Sequence, residues 1–127
     1  MSIENFILQR RTVHDYKPDP VDENLIKEAI NMAIHAPNHK KTWPWYFVIG
    51  GDGVKAKISE IAIELKSKKE ELSEVKINAI KSKFLNVSHL VGLAQKRSDS
   101  EFQTKEDYAS ISCGVQNISL YLWQHGI

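Results

Sequence analysis

Arg10-Arg11-Thr12 puts two guanidinium groups beside a hydroxyl and a backbone amide. A guanidinium fork takes phosphate oxygens two at a time, which an ammonium cannot do. The chain has only three arginines, so a side-by-side pair stands out against its many lysines. Further on, Ala36-Pro37-Asn38-His39-Lys40-Lys41-Thr42-Trp43-Pro44-Trp45 gathers a histidine, two lysines and two indoles in a Pro-anchored loop. Together these clusters suggest a site for a phosphorylated aromatic ligand. Each cluster also has a plainer reading. Basic residues at a helix C-terminus complement the helix dipole for ~0.3–1 kcal/mol. Trp-Pro-Trp serves as a packing clamp more often than as a binding surface. A surface histidine need not have any role.

The elements that must position these groups are readable from periodicity. Ser2 caps a first helix, with Ile3, Phe6 and Ile7 at helical spacing, and that helix delivers Arg10 and Arg11 at its end. Thr12 to Tyr16 is extended, and Lys17-Pro18-Asp19-Pro20 breaks the chain. Asp22 caps a second helix whose apolar stripe runs through Leu25, Ile26, Ala29, Ile30, Ala33 and Ile34 until Pro37 ends it. Trp45 to Ile49 is a β-branched and aromatic strand, and Gly50 to Gly53 is a turn. Residues 54–83 are helical in pattern, with a bend or break near Ser67 to Ser73. Val87 to Ala94 is a second strand. Thr104-Lys105-Glu106-Asp107 reads as a capping box that opens a last helix to about His125. That helix is uncharged nearly all round, which predicts burial on several faces, as a central helix or a subunit interface.

Bulk properties narrow the function classes. A chain of 127 residues fits one domain. A net charge of +1 gives no field favouring nucleic acid or an anionic membrane. The lysines and glutamates of residues 64–83 interleave, as on a solvated face. No apolar run approaches the ~18 residues of a membrane helix. The single cysteine, Cys113, forms no internal disulfide, suits a reducing cytoplasm and is expected to be a buried, inert small hydrophobe. His35 and His39 are four apart, but Pro37 between them disfavours one shared helical face, and no metal site is expected. Trp123-Gln124-His125-Gly126-Ile127 ends directly on a helical pattern, so the expectation is one domain over residues 1–127, truncated at its C-terminus.

In order and spacing these segments resemble the FMN-dependent nitroreductase family, and within it the small YdjA-like subgroup of NAD(P)H nitroreductases. That family opens with a helix running into Arg-Arg-Ser-x-Arg, then a turn with proline, then a helix ending in Ala-Pro. Its subgroup continues with Asp-His-Lys, Gln-Pro-Trp and a strand. The matching text is Arg10-Arg11-Thr12-Val13-His14, Ala36-Pro37-Asn38-His39-Lys40 and Trp43-Pro44-Trp45. Asp107-Tyr108-Ala109 and Val115-Gln116-Asn117 are similar to the family's central helix. Four positions depart from the pattern: Thr12 for Ser, His14 for Arg or Lys, His35 for Arg, and Trp43 for Gln.

The resemblance implies an α+β nitroreductase-like fold, a mixed sheet flanked by helices with a long central dimer-interface helix. It implies a homodimer that holds FMN through Arg10, Arg11, Thr12, His35 and His39, in the cytoplasm that the bulk properties already suggest. It also implies NAD(P)H as co-substrate and a nitro-compound or quinone as small-molecule electron acceptor in a ping-pong reaction. No catalytic acid or base is assigned. The rival expectation is a non-enzymatic remnant that keeps the fold for flavin binding or dimerisation.

Overall fold

Helices capped by Ser2, Asp22, Ser73 and Ser100 accompany a two-stranded sheet in the computed structural model, which describes residues 2–127. The order is α1 (Ile3–Gln9), α2 (Glu23–Ala33), a 3₁₀ turn (His39–Lys41), β1 (Trp45–Gly50), α3 (Asp52–Ser67), α4 (Glu74–Leu85), β2 (Leu90–Gln95) and α5 (Glu101–Gln124). Strands β1 and β2 pair antiparallel: the Lys96 amide donates to the Pro44 carbonyl, and Gly50 lies against the Leu90 carbonyl. The sheet of the described residues is therefore one antiparallel pair within an α+β chain.

The chain divides into two compact units. The first comprises residues 2–12, Asp22–Val48 and Leu93–Ile127. Its centre is the packing of α2 on α5. The buried residues of α2 are Ile26, Ala29 and Ala33, spaced three and four apart as one helical face requires. Those of α5 are Asp107, Ser110, Ile111 and Gly114, with the same spacing. Small residues on both faces let the backbones approach closely. Asn117 then donates from Nδ2 to the Met32 carbonyl at 3.1 Å, satisfying a group at the end of α2. The Tyr121 hydroxyl donates to Glu28 at 2.8 Å, and that bond raises the phenol pKa above its ordinary value.

The second unit comprises Val13–Val21 and Ile49–Gly92, and its centre is the α3–α4 pair. The expected break falls between Ser67 and Glu74, where Ser73 accepts from the Lys76 amide and caps α4. The lysine–glutamate surface behaves as a solvated face, with exposed pairs such as Lys68–Glu64 and Lys76–Glu70. Lys55 is different. Its side chain is buried, and Nζ donates to Asp52 and to the Val87 and Ser88 carbonyls. The hydrogen bond from Lys55, more than its charge, holds the exposed Asp52 carboxyl below its ordinary value. The Ser88 hydroxyl in turn accepts the Val21 amide at 2.7 Å.

Ser59 in α3 is 3% exposed, and its hydroxyl has no hydrogen-bond partner among the described residues. A buried orphan hydroxyl costs ~1–3 kcal/mol. Ser59→Ala removes it without leaving a large void and gains helix propensity. The variant should be about 1 kcal/mol more stable than wild type in urea unfolding; a lower midpoint would mean that the hydroxyl is satisfied.

Three sequence expectations change. Helix α5 begins at Glu101, one turn before Thr104, because Ser100 caps it by accepting from the Gln103 amide at 3.2 Å. The Thr104 hydroxyl instead donates back to the Ser100 carbonyl. Cys113 is exposed, not buried. It lies off the α2-facing stripe of α5, and the fully buried residues of that helix occupy one face, while residues 117–123 are half-buried all round. Phe102 and Tyr108 stay 62% and 68% exposed.

Candidate functional site

Arg10 is the residue that ends α1. Its amide donates to the Phe6 carbonyl at 3.1 Å, and its backbone then turns extended. The Arg10 side chain is half-buried, and among the described residues its guanidinium has no hydrogen-bond or ion-pair partner. Arg11 is exposed and committed. Its Nη1 donates to the Leu8 carbonyl at 2.6 Å and the Arg10 carbonyl at 2.9 Å, closing the helix end. The two arginines that look equivalent in sequence thus do different work: one stabilises α1, and the other has a free fork. Thr12 follows as an exposed residue outside any helix or strand.

His35 sits in the turn after α2, where its amide donates to the Met32 carbonyl. His39 opens the 3₁₀ turn. Both are exposed, and neither ring has a partner among the described residues. All five expected ligand residues lie in the first compact unit. Their carriers, α1, α2 and the 3₁₀ turn, each pack on α5. That helix is the common platform of the candidate site.

The loop from α2 to β1 has an unusual backbone. Lys40, Lys41 and Trp43 have φ of 60°, 51° and 49°. Such left-handed conformations are uncommon for residues with a Cβ and are held only where the surroundings over-determine them. Here the surroundings are polar. Asn38 Oδ1 accepts the Trp43 amide at 2.9 Å, and Asn38 Nδ2 donates to Thr42 Oγ1 at 3.0 Å and Ser110 Oγ at 3.2 Å. The Thr42 hydroxyl donates to Asp107, which also accepts from Gln103 Nε2 at 2.9 Å. Pro44 is fully buried and fixes the start of β1. The Trp43 and Trp45 rings meet edge-to-face with centroids 6.1 Å apart, although Trp43 remains 57% exposed. The Trp-Pro-Trp segment is thus a packing clamp at Pro44 and Trp45 and an open indole at Trp43.

The profile of the Nitroreductase family matches residues 7–127. The chain belongs to that family. It is 28% identical over 127 residues to the protein named "Putative NAD(P)H nitroreductase YfhC" from Bacillus subtilis, covering 98% of this chain and 66% of that protein. The solved structure of a nitroreductase-like family protein from Bacillus cereus superposes with a TM-score of 0.84 at 26% identity, over 99% of this chain and 66% of that one. The FMN-dependent nitroreductase NfnB from Mycobacterium smegmatis, solved in complex with NADPH, shares the fold, with a TM-score of 0.71 at 17% identity over 97% of this chain and 70% of that one. The chain therefore spans just under two thirds of the length of YfhC and of the Bacillus cereus protein.

Seen as a nitroreductase-family chain, its sequence motifs acquire a division of labour. Arg10, His35 and His39 are uncommitted donors. Asn38, Thr42, Asp107, Ser110 and Gln103 were not singled out as site residues, and they form the lattice beneath the loop. The local signals for that lattice are few: Asn38 beside Pro37, and Asp107 at the end of the Thr104-x-x-Asp107 pattern. Among the described residues no group of three or more His, Cys, Asp or Glu could hold a metal ion. No helix of the described residues is long and apolar enough to cross a membrane.

Proposed function

We propose that this chain is the FMN-binding part of an NAD(P)H-dependent oxidoreductase of the nitroreductase type, working as a cytoplasmic homodimer. Family membership supports the coarse class. The observation that carries the finer reading is the half-buried, uncommitted Arg10 guanidinium on the same compact unit as the free His35 and His39 rings. This donor set fits a flavin mononucleotide. Arg10, with the Thr12 hydroxyl, would hold the phosphate, and the two histidines would donate to polar edges of the ligand. Arg11 would add positive charge near the phosphate while its fork stays on α1.

Bound FMN would supply the redox chemistry by which electrons pass from NAD(P)H to a nitro-compound or quinone in ping-pong order. The protein's own contribution is to bind, orient and stabilise charge. Uncommitted cations close to a flavin would favour its reduced, anionic form electrostatically. No side chain is assigned as acid or base. NfnB, with the same fold, was solved with NADPH, which supports a nicotinamide co-substrate here. Helix α5 supports the dimer: Phe102, Tyr108 and Val115 stay exposed on it, beside Cys113.

The visible spectrum of the purified protein, before and after adding FMN and removing the excess, tests the reading. Flavin bands that stay with the protein are expected, together with NADPH consumption when a quinone or nitroaromatic is added. Retained flavin without turnover would leave a flavin-binding protein that is not an enzyme. A protein that stays colourless would sink both.

A further inference from the structure

We propose that Asp107 and Thr42 are positioning residues: through Asn38 they hold the loop 38–43 in the form that places Lys40, Lys41 and Trp43 at positive φ, and so fix the direction of His39 and Lys40. The inference rests on the flavin-site reading for its functional consequence and on hydrogen-bond geometry for its mechanical part.

The lock has a defined polarity. Asp107 is 3% exposed, and its Oδ1 accepts from both Thr42 and Gln103. A carboxylate oxygen accepts, so the Thr42 hydroxyl must spend its only proton there. Thr42 Oγ1 then has only lone pairs to offer Asn38, and it takes an Nδ2 proton at 3.0 Å. The second Nδ2 proton goes to Ser110 Oγ, which is itself committed as a donor to the Glu106 carbonyl at 3.1 Å. With both amide protons turned to these partners, Asn38 Oδ1 can only face the Trp43 amide, which it accepts at 2.9 Å. One carboxylate on α5 thus sets the orientation of an amide on the loop. That amide in turn holds the backbone at Trp43.

The lock is needed because the backbone it holds is costly. Lys40, Lys41 and Trp43 all have positive φ, and each such residue costs ~1–2 kcal/mol relative to the right-handed form. Without the polar chain the loop has every reason to relax. Relaxation would swing His39 and Lys40, which have no partners of their own among the described residues to hold them. Thr42 is half-buried and reaches Asp107 across a separation of 65 residues, so its hydroxyl acts at a distance from its own exposed neighbours.

Thr42→Val keeps the shape and removes the hydroxyl; Thr42→Ser restores it. Trypsin supplies a ligand-free readout, since it cuts after Lys40 and Lys41, inside the loop. Brief proteolysis well below the melting temperature, with cut sites read by mass spectrometry, should show cleavage after Lys40 and Lys41 about tenfold faster in Thr42→Val than in wild type. Cleavage at lysines of α4 should be unchanged, and Thr42→Ser should match wild type. Should Thr42→Val not fold, Thr42→Ala carries the same comparison. FMN titration by fluorescence quenching forms the second arm, with about tenfold weaker binding expected in Thr42→Val and recovery in Thr42→Ser. Equal loop cleavage in wild type and the hydroxyl-free variant overturns the lock, whatever FMN does. Faster loop cleavage with no FMN binding by the wild type upholds the lock and removes the flavin reading instead.

Discussion

Gly114→Val is expected to cost about 3 kcal/mol of stability and to leave little folded protein near physiological temperature. A Cβ built on Gly114 would stand 3.2 Å from both the Cβ and the carbonyl oxygen of Ala33. The methyl side chain of Ala33 cannot rotate away, and its carbonyl is part of α2. That carbonyl also accepts the Ala36 amide at 3.0 Å, so moving it disturbs the end of the helix. The contact lies at the centre of the first compact unit, where Ala33 is fully buried and Ile111 nearly so. Two β-branched methyls at this point must push α5 off α2, and the Asn117–Met32 bond goes with it. Gly114→Ala is the graded case. It gains ~1 kcal/mol of helix propensity but must force the helices apart by a few tenths of an ångström, a strain of ~1–3 kcal/mol, so a net loss near 1 kcal/mol is expected. Gly53→Ala is the internal control, because a Cβ there meets nothing within 4 Å and the residue lies in α3. It should raise the urea midpoint. Should Gly114→Ala rise with it, the close approach of α2 and α5 is not what holds this unit together.

That close approach also marks the border of what the sequence discloses. The stripe of α2 and its stops at Asp22 and Pro37 are local signals, and the helix lies between them. The break between α3 and α4 is similarly local, a serine cap after a run of charges. The start of α5 is ambiguous in sequence because two capping patterns stand in tandem, and Ser100 is the one that caps it. Ser100-x-x-Gln103 and Thr104-x-x-Asp107 satisfy the same rule, and nothing local says that Asp107 is required elsewhere. It is required by Thr42, 65 residues away. The strained loop was hidden for a related reason. Lysine and tryptophan give no hint of positive φ, as glycine or asparagine would. The conformation is imposed by partners on α5, so only the folded chain contains the information. Cys113 illustrates a third failure: an uncharged position on a helix is not a buried one, and the α2-facing stripe passes it by.

The site follows the same pattern. Residue types and order nominate Arg10, Arg11, Thr12, His35 and His39 for the proposed flavin site, and they resemble the family that the chain belongs to. They could not separate the roles of the two arginines, because adjacent residues at a helix end leave in different directions. The separation comes from three-dimensional capping: the Arg11 fork reaches back to Leu8 O, while Arg10 has no carbonyl to serve.

From that asymmetry a graded outcome for FMN binding follows. Arg10→Ala should weaken FMN by about a hundredfold, the ~2–3 kcal/mol expected for losing charge-assisted hydrogen bonds to phosphate at a half-buried site. Arg10→Lys should recover only part of this, about tenfold short of wild type, since an ammonium supplies charge without the fork. Arg11→Ala should behave in the opposite manner. Its binding loss should stay within about threefold, because its fork is already occupied, while the end of α1 loses donors for two exposed carbonyls and should fray, at ~0.5–1 kcal/mol. Fluorescence-quenching titrations of the three variants, each paired with a thermal melt, separate the effects: binding falls with stability intact for Arg10, and stability falls with binding nearly intact for Arg11. Equal losses of affinity at the two positions would mean that Arg11 leaves its helix to join the phosphate. The free fork of Arg10 would then no longer explain the site, and the pair would act together, as their adjacency in sequence first suggests.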